Sequence, residues 1–328
     1  MKARAKPLPM TVLSGFLGSG KTTLVNQLLR NAGGKRLLVL VNDFGDIAID
    51  EDLIDARDGE MLSLANGCAC CSMGSDLFDA FDKVLSFSPA PDYLLIEASG
   101  VAEPQKIANF ARAEPDLVLN SIVTIVDALN FEQTSLDPHV GALVRRQVAA
   151  ADLLLFSKTD LASSVQIERL KKDLQGLSKA PSIVTLAGQG DINDLVFGPN
   201  LFESLLEMQK DHPVASPSHS YSKPHSHSEM FQSWSYRVNG DISLEAIKDL
   251  ATKLPSDVFR FKGIFSNRED GKDYEIHRVG KRVDFKRMGS GGSHNRDARF
   301  VAIAIQNEAL NSRMMDIQSQ LNAIAFGR

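Results

Sequence analysis

Gly15-Phe16-Leu17-Gly18-Ser19-Gly20-Lys21-Thr22 is the stretch around which the chain is organised. Its spacing is that of a phosphate-binding loop: Gly, four residues, Gly, Lys, then Ser or Thr. An apolar run, Met10 to Leu13, precedes it, and a helical pattern, Thr23 to Arg30, follows. That is the strand–loop–helix context the motif requires. The glycines let backbone N–H groups turn inward around phosphate oxygens, and the helix N-terminus adds partial positive charge. Gly15, Gly18, Ser19, Gly20, Lys21, Thr22 and Thr23 are therefore the candidate nucleotide-binding residues here. Lys21 reaches the β- and γ-phosphates in this reading, and the Thr22 hydroxyl ligates Mg²⁺. The plain alternative is a Gly-rich turn that binds nothing.

Working outward, the pattern predicts a first strand over Met10–Ser14 and a first helix over Lys21–Asn31. Leu37–Val41 is a continuous apolar run, as expected for a strand buried on both faces. Residues 50–66 are acidic and turn-rich, with a hairpin signal at Asp58-Gly59. A helix over about Ser75–Leu85 would bury Leu77, Phe78, Phe81, Val84 and Leu85. Tyr93–Ile96, Ile122–Val126, Leu153–Phe156 and Ile183–Leu186 read as further strands. Alternation of strands and helices predicts an α/β fold with a doubly wound, mostly parallel sheet. Its polar motifs fall just past strand C-termini, where such sheets bind ligands.

Composition changes at 211–228, where six Ser, three Pro and four His occur among eighteen residues. Such a segment cannot bury enough surface to fold alone and reads as a linker. Residues 229–328 read as a small α+β domain. Strands are expected at Met230–Val238, Val258–Phe265, Tyr274–Arg278, Arg282–Phe285 and Phe300–Ile305. A helix is expected over Ser243–Leu254 and another over Glu308–Ala325. The expected organisation is thus 1–210, linker 211–228, and 229–328.

The net charge of −5 argues against non-specific nucleic-acid binding. No apolar run is long enough to span a bilayer. The basic start, Met1 to Pro7, has no signal-peptide pattern, so a cytoplasmic protein is expected. All three cysteines fall within four residues, Cys68, Cys70 and Cys71, which excludes a disulfide framework. In a reducing compartment the cluster points to metal or redox chemistry.

Three further motifs carry chemistry. Glu97-Ala98-Ser99-Gly100 follows a strand. NTPases of this class need an acidic residue near Mg²⁺ and its waters, and a Gly whose N–H meets the γ-phosphate. Glu97 and Gly100 fit those roles. Ser157-Lys158-Thr159-Asp160 is similar to the Asn-Lys-x-Asp guanine-reading motif, in which the Asp carboxylate accepts two N–H groups and the Lys stem covers the base. Ser157 stands where Asn is usual. That Asn braces the loop and touches the base, so weaker affinity or selectivity is expected. Alternatively Thr159 or Asp160 caps the following helix, and both readings can hold together. Cys68, Cys70 and Cys71 can offer soft ligands to one metal and leave a fourth position open for delivery. The helix starting near Ser75 would favour thiolates. Inert buried cysteines and a redox switch are the alternatives. His219, His225 and His227, with His212 nearby, are candidate auxiliary ligands on the linker, or simply polar linker residues. His139, His277 and His294 read as structural or solvated. Asp43 and Asp46, in Asn42-Asp43-Phe44-Gly45-Asp46, sit where a switch loop would be. They would meet Mg²⁺, the attacking water or the transported metal, or else be solvated turn residues.

Taken together, Gly15–Thr23, Asn42–Asp46, Gly67-Cys68-Ala69-Cys70-Cys71, Glu97–Pro104 and Ser157–Asp160 resemble the CobW-like family of P-loop GTPases. These are metallochaperone relatives of the urease and hydrogenase nickel-insertion GTPases. The resemblance covers nearly the whole chain, and the Cys-x-Cys-Cys cluster is its most specific mark. It implies GTP binding with slow hydrolysis, Mg²⁺, a divalent metal on the cysteines and a C-terminal domain that helps meet a client metalloprotein. Catalytic roles would fall to Lys21, Glu97, Gly100 and Asp43. Ser157, Asp43, Asp46 and Ala98 depart from the usual family residues.

The function expected is that of a GTPase that holds a metal at Cys68, Cys70 and Cys71 and releases it to a client. Zn²⁺ suits thiolate and imidazole ligands, with Co²⁺, Fe²⁺ and Ni²⁺ as alternatives. No nucleic-acid or membrane partner is expected, and a homodimer is compatible with the sequence. A P-loop small-molecule kinase and a nucleotide-independent metal sensor or store are the rivals.

Overall fold

The computed structural model describes residues 7–30, 32, 35–41, 60–63, 75–184, 192–197, 231–255, 257–280, 282–288, 297–305 and 310–326. The chain divides into two compact units between Phe197 and Gly198. Asp43, Asp46, the Asp58-Gly59 turn, Cys68, Cys70, Cys71, the linker 211–228 with its histidines, and His294 lie outside the described residues.

In the N-terminal unit the strands are β1 (Leu8–Ser14), β2 (Leu37–Val41), β3 (Glu60–Ser63), β4 (Tyr93–Glu97), β5 (Leu117–Asp127), β6 (Leu153–Ser157) and β7 (Ser182–Val184). The helices are α1 (Lys21–Arg30), α2 (Ser75–Ser86), α3 (Pro104–Ala113), α4 (Phe131–Leu136), α5 (Gly141–Ala149), α6 (Ser164–Leu177) and α7 (Asn193–Val196). The strands form one sheet in the order β3-β2-β4-β1-β5-β6-β7, and every pairing in it is parallel. All five residues of β2 and all five of β4 are buried, as the apolar runs Leu37–Val41 and Tyr93–Ile96 require for strands covered on both faces, and Glu97 closes β4 as a buried carboxylate.

Leu8, Met10 and Val12 of β1 point to one face and pack with Ala80, Phe81 and Val84 of α2 and Ile107, Ala108 and Ala111 of α3. Further along the sheet, Val144 and Val148 of α5 and Leu170 and Leu174 of α6 meet Val126, Leu154 and Phe156. Each such fully buried aliphatic side chain stabilises the unit by roughly 1.5–3 kcal/mol. The alternate residue Thr11 turns to α7 and donates to the Val196 carbonyl at 2.9 Å. Helix α1 buries Leu24, Val25, Leu28 and Leu29.

Three expectations change here. Strand β5 is eleven residues long and begins at Leu117, five residues before the expected start. Asn120 and Ser121 interrupt its apolar pattern, yet both are buried and hydrogen bonded within the sheet. The helix after β6 is capped by Ser163, in a capping box with Gln166, rather than by Thr159 or Asp160. Residues 158–160 are thereby left free of capping duty. The segment before the cysteines also supplies an edge strand, β3, parallel to β2.

The C-terminal unit contains β8 (Phe231–Asn239), β9 (Val258–Ser266), β10 (Asp273–Val279), β11 (Arg282–Arg287) and β12 (Asp297–Ile305), with α8 (Leu244–Lys253) and α9 (Leu310–Phe326). Its sheet is antiparallel, in the order β11-β10-β9-β12-β8. Ile247, Leu250 and Ala251 of α8 and Met314, Ile317 and Leu321 of α9 cover one of its faces, a core that includes Phe261, Phe265 and Phe300. Arg278 is buried and donates to the carbonyls of Val258 and Leu254 just past α8. Burial pushes its guanidinium pKa down to about 10. His277 is half-buried on β10, and desolvation of its ring, then the charges of Lys262, Arg260 and Arg282, hold its pKa well below the ordinary imidazole range.

Gly263 sits under the Phe300 ring, which a Cβ there would overlap. That ring is stacked on Phe261 at 5.3 Å between centroids and on Phe265 at 6.2 Å, so it has nowhere to go. Gly263→Ala is therefore expected to lower the stability of this unit by about 1–3 kcal/mol. The single tryptophan, Trp234 on β8, makes this measurable by fluorescence-monitored denaturation of the whole chain. An unchanged midpoint would show that the ring can shift.

Candidate functional site

The site is built at the C-terminal ends of four neighbouring strands, β4-β1-β5-β6. Register sets it. Leu13 of β1 is opposite Glu97 of β4, Ser14 is opposite Thr124 of β5, and Asp127 of β5 is opposite Ser157 of β6. Three motifs separated by some sixty to eighty residues thus emerge side by side.

The loop from Gly15 to Gly20 leads from β1 directly into α1. Gly15 has φ +147°, and a Cβ on it would lie 2.6 Å from the Ile125 carbonyl oxygen, so only glycine fits this turn. Gly18 and Gly20 also have positive φ, 69° and 96°. Lys21 is buried, and its Nζ donates to the carbonyls of Gly15 at 3.1 Å and Phe16 at 3.4 Å. The ammonium is therefore held over the loop it is expected to serve. Ser19 is buried in the loop, and Thr23 is exposed in the first turn of α1.

Thr22 Oγ1 donates to Glu97 Oε1 at 3.3 Å, and Glu97 is 2% exposed. A hydroxyl and a carboxylate at this separation, at a helix start, are the donor set that Mg²⁺ takes in phosphate-loop enzymes. Ala98 N donates to the Leu13 carbonyl at 2.8 Å and locks the two strand ends together. Beyond it, Gly100 lies against the loop so closely that a Cβ would be 2.8 Å from Leu17 N. The Glu97–Gly100 stretch is thus in contact with the phosphate loop itself.

Ser157 Oγ donates to the Ser19 carbonyl at 2.7 Å. The brace expected from Asn is made by this shorter side chain instead. Lys158 has φ +56°, the left-handed region that non-glycine residues rarely occupy. Its Nζ pairs with Asp127 Oδ2 at 2.7 Å. Asp127 also accepts from the backbone N–H groups of Leu129 at 2.9 Å and Asn130 at 3.3 Å and from Asn130 Nδ2 at 2.8 Å. Burial pushes this carboxyl up, but the hydrogen bonds from Lys158, Asn130 and Leu129 outweigh it and leave it below its usual value. Asp160 is exposed.

Asp127, which the sequence places at a strand end as it does Glu97, and Asn130 carry no role in the motifs read from the sequence, yet both lie at a cleft beside the phosphate loop. Gln147 of α5 likewise carries no role in those motifs. This residue is 1% exposed, and its Nε2 donates to the carbonyls of Gly100 and Ala102, each at 3.0 Å. The cleft, of about 310 Å³, lies between the loop residues Phe16–Ser19, the end of β5 and α5.

The metal-ligating expectations cannot be placed in the same way, since the cysteines and linker histidines are outside the described residues. Among the described residues no group of three or more His, Cys, Asp and Glu could hold a metal ion. The strand before the cysteines, β3, ends at Ser63 opposite Val41, and α2 starts at Ser75 as expected. Val41 is in turn opposite Glu97. Among the described residues no helix is long and apolar enough to cross a membrane.

Comparison with known proteins gives consistent matches. The model of the CobW/HypB/UreG nucleotide-binding domain matches residues 9–185, and that of the cobalamin synthesis protein cobW C-terminal domain matches residues 231–318. A zinc chaperone CobW of a Sinorhizobium species is 26% identical over 93% of this chain and 95% of its own length. The zinc chaperone YjiA of Escherichia coli is 32% identical over 60% of this chain and 63% of its own length. The zinc-regulated GTPase metalloprotein activator 1 of Schizosaccharomyces pombe is 31% identical over 58% of this chain and 49% of its own. Among solved structures, Zn(II)-bound YjiA GTPase from E. coli is 22% identical and covers 97% of this chain and 99% of that one, with a TM-score of 0.43. Because the first of these models spans more than half of the 328 residues and contains every strand end described above, the chain belongs to the CobW/HypB/UreG family of P-loop GTPases.

Proposed function

We propose that this protein is a GTP-hydrolysing metallochaperone: it binds a divalent metal at Cys68, Cys70 and Cys71 and passes it to a client metalloprotein under control of the bound nucleotide. The observation that carries the nucleotide half is the contact of all three motifs. Thr22 meets Glu97, Gly100 packs on Leu17, and Ser157 bonds Ser19. In this reading the inward-turned loop and Lys21 take the β- and γ-phosphates. Thr22 and Glu97 would hold Mg²⁺, which neutralises charge on the phosphates. Lys158 and Asp160 read the guanine, with Asp127 fixing the Lys158 stem. The Asp127 carboxylate stays charged throughout the neutral range, so this support does not vary there. Gly100 N–H, and Asp43 from the neighbouring strand end, would sense the γ-phosphate and its water.

The metal half rests on the thiol cluster and on relatives named as zinc chaperones. Zn²⁺ is the first choice of cargo. Chain geometry supports coupling between the halves. Cys68 follows Ser63 by five residues, a reach of at most about 17 Å. Ser63 belongs to the same edge as Val41 and Glu97. Ordering of residues 42–50 and 97–104 by GTP would therefore act on the stretch strung between β3 and α2. Hydrolysis would loosen it. His219, His225 and His227 on the 211–228 linker would serve as auxiliary ligands, and the unit from 229 onward would meet the client. A cytoplasmic location goes with this role. Family membership weighs against the small-molecule kinase, and a nucleotide-independent store would leave the built phosphate loop without use.

The expected outcomes are specific. Lys21→Ala should weaken GTP binding by about 10- to 100-fold, as loss of a charge-assisted contact implies. Metal affinity without nucleotide should be unchanged, and fluorescent-nucleotide and metal titrations read the two separately. Ser157→Ala should weaken GTP and GDP alike by about 3- to 10-fold through loss of one hydrogen bond. No change would mean that the brace is idle. Zn²⁺ titrated with and without GTP and Mg²⁺ should bind more tightly in their presence, by about 5- to 150-fold for typical coupling. Equal affinities would sink the coupling, and residual binding after Cys68, Cys70 and Cys71 are changed to Ser would sink the site.

A further inference from the structure

The loop that follows Glu97 is gripped from the side by α5. Gln147 reaches it with one primary amide, whose two N–H groups meet the Gly100 and Ala102 carbonyls at 3.0 Å each. The preceding residue, Arg146, adds an ion pair from Nε to Glu103 Oε1 at 3.0 Å. Helix α5 is itself tied to the sheet at this point, because Thr124 Oγ1 donates to the Gln147 carbonyl at 3.1 Å. On its other side Gly100 is pressed on Leu17, within 2.6–2.9 Å of an added Cβ. The Gly100 carbonyl is thus held by α5 while its Cα is held by the phosphate loop.

We infer that Gln147 is a positioning residue for the phosphate-sensing loop: by fixing the Gly100 and Ala102 carbonyls it sets where the Gly100 N–H lies over the phosphate loop. It thereby sets the preference for a nucleoside triphosphate over a diphosphate. This rests on the GTPase reading above. The physical case is one of satisfaction and freedom. The amide is buried, so water cannot replace its two bonds to these carbonyls without opening the loop. With the carbonyl tied and the Cα packed, the N–H of the same residue has little freedom left. Gln147 also borders the cleft of about 310 Å³ beside Leu17 and Thr124. A diphosphate has no group for Gly100 to meet, so only triphosphate binding should depend on the latch.

Gln147→Met tests this, since it keeps length and burial and removes both donors. Fluorescent GDP and a non-hydrolysable GTP analogue are titrated into variant and wild type with Mg²⁺ present. Hydrogen exchange of residues 99–103 is followed in the nucleotide-free proteins. The expected result is a GDP affinity within about twofold of wild type, a loss of about tenfold for the analogue, and faster exchange over 99–103. Equal losses for both nucleotides would assign Gln147 a purely structural role, and unchanged affinities with unchanged exchange would remove the latch altogether. If Gln147→Met fails to fold, Gln147→Asn is read by the same two measurements, because its shorter amide cannot span both carbonyls. A wild type that binds neither nucleotide overturns the GTPase reading and this inference with it. A wild type that binds both, with an unaffected variant, overturns this inference alone.

Discussion

Everything at the site depends on the parallel register of β4, β1, β5 and β6. Parallel strands share one direction, so their C-terminal ends form a single edge, and the loops leaving that edge converge. Leu13 beside Glu97, and Asp127 beside Ser157, are the pairings that bring the phosphate loop, a carboxylate and the Ser157–Asp160 stretch together. A slip of two residues in one strand would carry its motif about 7 Å along the edge, beyond any hydrogen bond. The contacts seen across the motifs, Thr22 to Glu97 and Ser157 to Ser19, follow from that register.

The register is held by more than apolar burial. At the other end of the same strands, Thr11, Tyr93, Ser121 and Asn120 form a buried polar cluster. Asn120 Nδ2, Thr11 Oγ1 and Tyr93 OH converge on the Val196 carbonyl, at 2.9, 2.9 and 3.4 Å. Hydrophobic packing tolerates sliding, whereas paired buried donors do not, because an unpaired one costs roughly 1–3 kcal/mol. The cluster thus pins β1, β4 and β5 against each other beneath the site and ties them to the last helix of the unit. The strands are fixed at the base, and the loops of the site extend above them. Gln147 then becomes the point where a helix takes hold of one of those loops.

The legible part of the fold was the part with a strong local signal. Unbroken runs such as Leu37–Val41 announced buried strands, and amphipathic stripes announced α2, α8 and α9. Polar residues inside strands were misleading. Asn120 and Ser121 looked like the end of a strand because their partners, Thr11 and Val196, are distant in sequence. Cap residues misled in the same way: Thr159 and Asp160 have the right chemistry for a helix start, but the helix begins after Ser163. Edge strand β3 carries too few apolar residues in its four positions to stand out without its partner β2.

At the site, the sequence by itself determined which groups are present: the glycine spacing, Lys21, Thr22, Glu97, Gly100, Lys158, Asp160 and the thiol cluster. Local spacing carries that information because a phosphate loop is a contiguous object, built from one turn and one helix start. Only the tertiary structure decided that Ser157 bonds the Ser19 carbonyl, that Asp127, itself bonded by Asn130, pairs with Lys158, and that Gln147 grips Gly100. Those are contacts between strand ends and a crossing helix, up to 138 residues apart. A side chain's identity fixes what it can bond, but only the register of the sheet and the packing of α5 fix what lies within 3 Å of it.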